Sequence, residues 1–138
     1  GQWKILYRGH YYLENDSNIP DYVINASSHD DMQEVLLVAD VLVTDYSSSV
    51  WDFGLLERPC FLYTPDKVAY ESVTNYCIPL EEWPYPFALT NEALGQLIKE
   101  YDKDKYVKRL HAHQERLGIF EKGQACPTIA DFIANIIK

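Results

Sequence analysis

The sequence predicts an α/β domain built around a parallel sheet. Short runs of apolar residues alternate with stretches in which apolar residues recur at the spacing of a helix. Strands that alternate with helices in this way pair in parallel, because each helix carries the chain back to the same end of the sheet. The chain has 138 residues, 47% of them hydrophobic and 24% charged, which is the composition of a globular protein. We therefore expect residues 1–138 to form one domain.

The first forty residues are predicted to form two strands and a helix. Trp3–Tyr7 is an apolar run expected to form a short buried strand, and Tyr22–Ile24 a second one, with a polar loop at residues 15–20 between them. Residues 32–39 place their apolar side chains on one face of a helix, and the acidic pair Asp30 and Asp31 stands before its first turn.

The middle of the chain is predicted to contain two further strands separated by a helix. Val41–Val43 is a short apolar strand, and a turn of three serines leads from it into a helix that ends near Glu57. Cys60–Tyr63 follows as a buried strand. Residues 64–86 contain several prolines and are expected to be irregular.

The last third of the chain is predicted to be mainly helical. Phe87–Leu89 is a final short strand, and Thr90 is expected to cap a helix that runs to about Tyr101. A second helix is expected near residues 103–117. Its basic stripe is interpreted either as a solvated face or as a contact for an anionic surface, and it consists of Lys105, Arg109 and Arg116.

The final helix has the clearest pattern in the chain. Its apolar residues recur at helical spacing and are Ile129, Phe132, Ile133, Ile136 and Ile137. Pro127 is expected at its first position, where a missing N–H costs nothing. The residues before it, 121–126, form a glycine-containing loop that is a second candidate cradle for an anion.

Composition excludes several classes of function. The net charge of −9 opposes binding to nucleic acid. The three cysteines, Cys60, Cys77 and Cys126, are widely spaced and predict reduced thiols in a cytoplasmic protein rather than disulfides. The histidines and acids show no ligand spacing, so neither a metal site nor another cofactor is expected. No apolar run is long enough to span a membrane. The first residues lack a signal pattern and suggest a piece of a longer protein.

The serine turn, residues 44–49, is the most informative segment. An apolar strand stops at Thr44 and Asp45, and three serines, Ser47, Ser48 and Ser49, then open a helix. Hydroxyls and backbone N–H groups at such a point suit a phosphate or diphosphate. The alternative is a well-capped helix, in which Ser49 and Asp52 form a capping box. Asp45 has two interpretations as well. It could contact the ligand, or it could be a turn residue whose carboxylate accepts hydrogen bonds from backbone N–H groups.

Four sequence segments together resemble a known family. They are R-G-H at residues 8–10, H-D-D-M-Q-E-V-L-L-V-A-D-V-L-V-T-D-Y-S-S at 29–48, L-L-E-R-P-C-F-L-Y at 55–63 and G-Q-A at 123–125. In this order they resemble the donor-binding half of the CDP-glycerol glycerophosphotransferases, which are the primases and polymerases of teichoic acid. The resemblance covers residues 4–137, and its most specific part is the segment that ends in the serine turn.

The resemblance implies a fold and an activity. The fold would be a Rossmann-like domain, the C-terminal half of a glycosyltransferase B-type enzyme that holds its nucleotide donor between two domains. The activity would be transfer of glycerol phosphate from CDP-glycerol, or of a similar CDP-polyol, to a lipid-linked polymer. The acceptor would be bound through the missing N-terminal domain. Such an enzyme would be cytoplasmic and peripheral at the inner face of the cell membrane.

The resemblance also implies roles for individual residues. His10 would contact the donor diphosphate, and Thr44, Asp45, Ser47, Ser48 and Ser49 would hold its phosphates. Gly123, Gln124 and Ala125 would close beside them. These contacts would stabilise the leaving cytidine monophosphate without a metal. The base that activates the acceptor belongs to the missing domain, so the chain alone is expected to be catalytically silent.

Two departures from the family pattern and two rival functions stay open. Cys126 stands where the family usually has serine, which removes a hydroxyl donor, and Tyr11 stands where it often has proline. One rival is a glycosyltransferase of the same fold that uses a nucleotide sugar. The other is a non-catalytic interaction domain that kept the fold and lost the site.

Overall fold

The computed structural model describes residues 3–10, 19–74 and 76–137, which belong to two compact units. The first unit is Gly1–Ala39 and the second is Asp40–Lys138. Tyr11 and most of the predicted loop at residues 15–20 lie outside the described residues.

The first unit contains a two-stranded parallel sheet and a helix. Strand β1 (Ile5–Tyr7) pairs with β2 (Val23–Asn25), and Ile5 stands opposite Val23. Helix α1 (Met32–Val38) follows. The Asp31 carboxylate accepts hydrogen bonds from the backbone N–H groups of the second and third residues of α1, so Asp31 is the N-cap that the acidic pair predicts.

The burial predicted for the first strand is wrong. Ile5 is 49% exposed and Leu6 is 42% exposed, although both lie in the apolar run that predicts a buried strand. In the described part of this unit, two three-residue strands and one short helix supply too little apolar surface to cover both faces of a sheet. Among the described hydrophobic residues of this unit, only Leu36 of α1 is buried.

The second unit contains a three-stranded parallel sheet in the order β3-β4-β5. The strands are β3 (Leu42–Thr44), β4 (Cys60–Tyr63) and β5 (Phe87–Ala88). The central strand β4 is buried over Cys60, Phe61 and Leu62, as expected for a parallel strand covered on both faces. All described strands pair in parallel and alternate with helices, which confirms the predicted fold class.

Among the residues that the structure describes, the second unit has five helices and a 3-10 turn at Leu80–Glu82. They are α2 (Ser49–Gly54), α3 (Lys67–Val73), α4 (Asn91–Lys99), α5 (Lys103–Leu117) and α6 (Ala125–Ile136). Thr90 caps α4 as predicted, since its hydroxyl accepts a hydrogen bond from the N–H of Ala93.

Three helix predictions need correction. Helix α3 lies inside the segment expected to be irregular, because Lys67–Val73 is a stretch between prolines that contains none. Helix α2 ends at Gly54 rather than near Glu57, whose φ of 54° is incompatible with a continuing helix. Helix α6 begins at Ala125, so Pro127 occupies its third position, where the N–H still lacks a helical partner.

The core of the second unit forms where α2, the sheet and the loop before β5 meet. Phe53 of α2 and Tyr85 of that loop are both buried, and α2 contacts β3 and β4. The Tyr85 hydroxyl donates a hydrogen bond of 2.6 Å to the backbone carbonyl of Val50. This bond fixes α2, and therefore the turn that precedes it, against the loop.

The close approach of Gly54 to Tyr85 gives a testable prediction. A Cβ at Gly54 would overlap the Tyr85 hydroxyl oxygen, so Gly54→Ala is expected to lower the free energy of unfolding by about 1–3 kcal/mol. Tyr85→Phe removes that oxygen. In urea denaturation, the double variant should therefore lose less stability than the sum of the two single variants. Strictly additive losses would contradict the proposed overlap.

A buried histidine lies on the face of α5 that packs against α2. His113 is 6% exposed, and its ring stacks on Trp51 with 5.6 Å between ring centroids. The Arg116 guanidinium lies 3.4 Å from His113 Nδ1, which must accept because arginine only donates. Burial lowers the pKa of His113, and the charges of Arg116 and Arg109 lower it further, whereas Glu82 raises it.

The lowered pKa of His113 predicts acid sensitivity. The unfolded chain protonates this ring near pH 6.5, but the folded chain resists protonation until a lower pH. The contribution of His113 to stability is therefore complete above about pH 6.5 and falls as the pH drops toward the folded pKa. His113→Phe should flatten this part of the stability curve, measured by urea denaturation between about pH 7 and pH 5. The control is Val68→Ala, which alters an exposed side chain on α3 and leaves every histidine in place, so it should leave the slope unchanged.

The apolar stripe of α6 is exposed in the described part of the chain. The helix itself is confirmed over Ala125–Ile136, and its five stripe residues are between 51% and 79% exposed. No helix among the described residues is long and apolar enough to cross a membrane.

Candidate functional site

The serine turn lies at the carboxyl edge of the three-stranded sheet. Thr44 is the last residue of β3, and in the sheet register it stands opposite Leu62 of β4. The segments that follow β4 and β5 leave the sheet at the same edge, because the three strands are parallel. In open α/β folds, ligands bind outside this edge. The sheet therefore places the serine turn where a ligand site is expected.

Side chains inside the serine turn hold its backbone. The Asp45 carboxylate accepts a hydrogen bond of 3.1 Å from the N–H of Ser47. The Ser47 hydroxyl oxygen accepts one of 3.3 Å from the N–H of Ser49 and one of 2.9 Å from the Ser49 hydroxyl. Asp45 thus performs the turn role proposed for it. The Ser49 side chain is only 7% exposed, and its hydroxyl uses its hydrogen-bond donor within the turn, where it holds Ser47 in place.

Two serine hydroxyls in the serine turn remain able to donate hydrogen bonds to a ligand. Ser47 accepts both of its internal bonds through oxygen, so its own proton is available. Ser48 is exposed, and within the part of the chain that the structure describes its hydroxyl has no hydrogen-bond partner. Ser47 and Ser48 are therefore the donors that the geometry favours.

The predicted capping box at Ser49 is wrong. The N-cap of α2 is Ser48, its side chain makes no capping bond, and Ser49 lies inside the helix. The reason is that the Ser49 hydroxyl bonds Ser47 and does not reach a free N–H of the first turn. Because α2 has only six residues, its dipole is weak, and anion binding here would depend on the hydroxyls.

A tyrosine cluster that no local sequence pattern predicts adjoins the serine turn. Tyr46 stacks on Tyr70 of α3 with 3.7 Å between ring centroids, and Tyr76 lies 5.9 Å from Tyr70. The Tyr46 hydroxyl donates a hydrogen bond of 3.0 Å to Asp66. The spacing of Lys67 and Glu71, an ion pair one helical turn apart, is a sequence signal for helix α3, although not for the tyrosine cluster itself.

His10 lies in the first unit, just after β1. Its neighbours are fixed by hydrogen bonds: the Arg8 guanidinium donates to the carbonyls of Ala26 and His29, and the N–H of Gly9 donates to Ser27. The His10 side chain is exposed. Arg8 therefore serves to join the end of β1 to the loop after β2. The serine turn belongs to the second unit.

The glycine loop, residues 121–126, leads into α6. Gly123 has φ 73°, a conformation that favours glycine, and its N–H donates to the Glu121 carboxylate. The Gln124 carbonyl accepts hydrogen bonds from the N–H and hydroxyl of Thr128. Ala125 opens α6, and the Cys126 thiol that follows is exposed. Among the described residues, no hydrogen bond joins this loop to the serine turn.

The basic stripe of α5 is engaged within the chain. Arg109 donates to the carbonyl of Trp83, and Arg116 donates to the Glu82 carboxylate at 2.7 Å. Lys105 lies 3.3 Å from Asp102. The two arginine contacts brace α5 against the loop before β5, a role that neither interpretation of the stripe, a solvated face or a contact for an anionic surface, includes.

Metal and thiol chemistry receive little support from the described residues. Within residues 3–10, 19–74 and 76–137, no group of three or more histidines, cysteines or acids could hold a metal ion. Burial raises the pKa of the Cys60 thiol to about 12, so it stays protonated at neutral pH. Cys77 and Cys126 are exposed and free.

Comparison with known proteins gives consistent results. Residues 1–135 match the family described as CDP-Glycerol:Poly(glycerophosphate) glycerophosphotransferase. The teichoic acid poly(glycerol phosphate) polymerase of Staphylococcus epidermidis is 32% identical over 143 residues, covering 99% of this chain and 20% of that protein. The teichoic acid glycerol-phosphate transferase of Staphylococcus aureus is 33% identical over 140 residues, covering 95% of this chain and 35% of that protein.

Solved structures agree with the sequence relatives. The wall teichoic acid polymerase TagF superposes with a TM-score of 0.76 at 30% identity, over 98% of this chain and 34% of that one. A TagF variant soaked with CDPG gives the same TM-score at 30% identity, over 98% of this chain and 35% of that one. The chain spans about a fifth to a third of the length of these relatives. A match across residues 1–135 shows that the chain belongs to the CDP-glycerol:poly(glycerophosphate) glycerophosphotransferase family.

Proposed function

We propose that residues 1–138 are the donor-binding domain of a glycerophosphotransferase that builds teichoic acid or a related cell-wall polymer. The observation that carries the proposal is the family match over residues 1–135, which includes the serine turn at the carboxyl edge of the sheet. The solved structure of a TagF variant soaked with CDPG supports CDP-glycerol as the donor.

In the proposed reaction, a hydroxyl of the polymer acceptor attacks the phosphorus that carries glycerol. The P–O bond to cytidine monophosphate breaks, the nucleotide leaves with the bond electrons, and the acceptor proton passes to a base outside this chain. Charge grows on the leaving phosphate. Hydrogen-bond donors fixed around that phosphate stabilise the transition state more than the ground state.

In this proposal the described residues have distinct parts in that task. The hydroxyls of Ser47 and Ser48 would donate hydrogen bonds to the diphosphate. Asp45 and Ser49 would hold the turn in shape. Thr44 would position the turn from the end of β3, and His10 would donate to the leaving phosphate. Gly123, Gln124 and Ala125 would close over the donor.

The rest of the parent enzyme would supply the acceptor site and the base. The acceptor would be a lipid-linked polymer, and the enzyme would lie at the inner face of the cell membrane. In this account the isolated chain binds nucleotide weakly and without a divalent metal, and it releases no cytidine monophosphate.

Calorimetric titration of the 138-residue chain tests the proposal. CDP-glycerol is expected to bind with the same affinity in magnesium and in chelator, and a UDP-sugar is expected to bind far more weakly. A parallel assay should detect no release of cytidine monophosphate. Tight binding of the UDP-sugar with none of CDP-glycerol would assign the chain to a nucleotide-sugar transferase. Affinity that collapses in chelator would refute metal-free binding.

A further inference from the structure

We infer that the tyrosine cluster and Asp66 form a subsite for the hydroxyl groups of the polyol end of the donor. This inference rests on the proposed function, because it takes the serine turn as the seat of the diphosphate. It goes further by assigning the transferred group to residues of this chain. The subsite consists of Tyr46, Tyr70, Tyr76 and Asp66.

Position in the fold would bring this cluster beside a diphosphate held at the serine turn. Tyr46 precedes Ser47 in the chain, and Asp66 follows β4 at the same edge of the sheet from which the serine turn leaves β3. The hydrogen bond from the Tyr46 hydroxyl to Asp66 joins these two segments. Because Tyr46 is the chain neighbour of Ser47, a phosphate held at Ser47 would bring the group attached to it toward the Tyr46 end of the cluster.

The hydrogen-bonding groups of the cluster are not used up by the helix that they border. Asp66 occupies the N-cap of α3 but makes no capping hydrogen bond there. Its carboxylate binds Tyr46 through one oxygen and keeps acceptor capacity on the other. Among the described residues, the buried Tyr76 hydroxyl has no hydrogen-bond partner. Such a group in a half-buried position is expected to meet a ligand or water.

The chemistry of these groups fits a neutral polyol. Polyol hydroxyls both donate and accept, so they match an acceptor carboxylate beside a free phenol. A further anion is disfavoured, because Asp66 and Glu71 are acidic and the Lys67 ammonium is already paired with Glu71 at 2.5 Å and Glu81 at 2.8 Å. Burial raises the pKa of Tyr46 and of Tyr76, with nearby carboxylates adding to the effect, so both phenols keep their protons.

The ring geometry argues against a nucleobase in the same place. Base recognition by tyrosine uses an open aromatic face. Here Tyr46 and Tyr70 stack on each other within 10° of parallel, and Tyr76 lies beside Tyr70 at 23° and edge-on to Trp83 at 71°, so the stacked faces are already occupied by neighbouring rings. The hydroxyl rims and the carboxylate are then the recognition groups, and these suit the polyol better than the base.

Differential binding of CDP-glycerol and CDP tests the inference, because CDP retains the nucleotide but lacks the polyol. Both would be titrated into the 138-residue chain and into Tyr76→Phe and Asp66→Asn. Each variant removes one polar function and keeps the shape, and asparagine can still accept from Tyr46. Affinity for CDP-glycerol is expected to fall about three- to tenfold, the usual worth of one hydrogen bond, with CDP affinity changed less than about twofold.

The control is Tyr106→Phe. Its hydroxyl is also buried, but its ring contacts Tyr101 and lies outside the cluster. It should leave both affinities unchanged. Equal losses for CDP and CDP-glycerol in the cluster variants, or a changed preference for CDP over UDP, would overturn the polyol subsite and leave the proposed function intact. Absence of CDP binding to the unsubstituted chain would instead overturn the proposed function, and the subsite with it.

Discussion

Replacing His10 by alanine in the full-length parent enzyme is expected to lower kcat by about 10²–10³-fold, the typical cost of one donor to developing charge. The loss should fall mainly on turnover, because the leaving phosphate gains negative charge in the transition state. KM for the donor should change much less. Steady-state kinetics with CDP-glycerol and a lipid-linked acceptor would measure both quantities.

Two further variants separate a donor role for His10 from a structural one. His10→Asn keeps an N–H donor and should retain more turnover than the alanine variant. His111→Ala removes an exposed histidine that pairs with Glu57 on the second unit, so its activity should stay near normal. Near-normal turnover of His10→Ala would remove this residue from the mechanism.

The largest loss of stability is expected from Phe53→Ala. Phe53 is 0% exposed and belongs to α2, which contacts β3 and β4. Truncating a phenylalanine at a site of this kind typically lowers the free energy of unfolding by about 3–5 kcal/mol, because transfer and cavity terms add. Urea denaturation followed by circular dichroism would measure the change.

A matched substitution and a milder one complete that experiment. Val68→Ala alters a side chain that is 83% exposed on α3, so its effect should stay within about 0.5 kcal/mol. Phe53→Leu preserves much of the volume and should cost less than Phe53→Ala. A Phe53→Ala variant as stable as the unsubstituted chain would contradict the prediction. Since α2 carries the serine turn, loss of Phe53 should also weaken nucleotide binding.

Local signals in the sequence predict much of the fold. The bounds of β4 and α5 agree with prediction, because an apolar run of β-forming size and a sustained helical period leave few alternatives. The Thr90 cap is also confirmed, since its bond to Ala93 depends on residues three apart. The serine turn falls at the carboxyl edge because strand, turn and helix follow one another in the chain.

Tertiary contacts are the part that local sequence patterns do not predict. The Tyr46 bond to Asp66 joins residues twenty positions apart, so no local pattern marks it. Helix α3 is not predicted, because the prolines on either side of it indicate an irregular segment. The Ser49 capping box does not form because the Ser47 hydroxyl is a nearer partner, a competition that spacing alone cannot decide. The predicted role of His10 is still a prediction, as is that of the glycine loop.

The central claim is that the serine turn of this chain binds the diphosphate of a cytidine nucleotide. Titrating CDP into the isotope-labelled 138-residue chain, with amide shifts followed by NMR, tests it most directly. We expect the largest shifts at Ser47 and Ser48 and their neighbours, and we expect them to vanish in a Ser47→Ala, Ser48→Ala double variant that remains folded. Shifts confined to other parts of the chain, or none at millimolar CDP, would contradict the account.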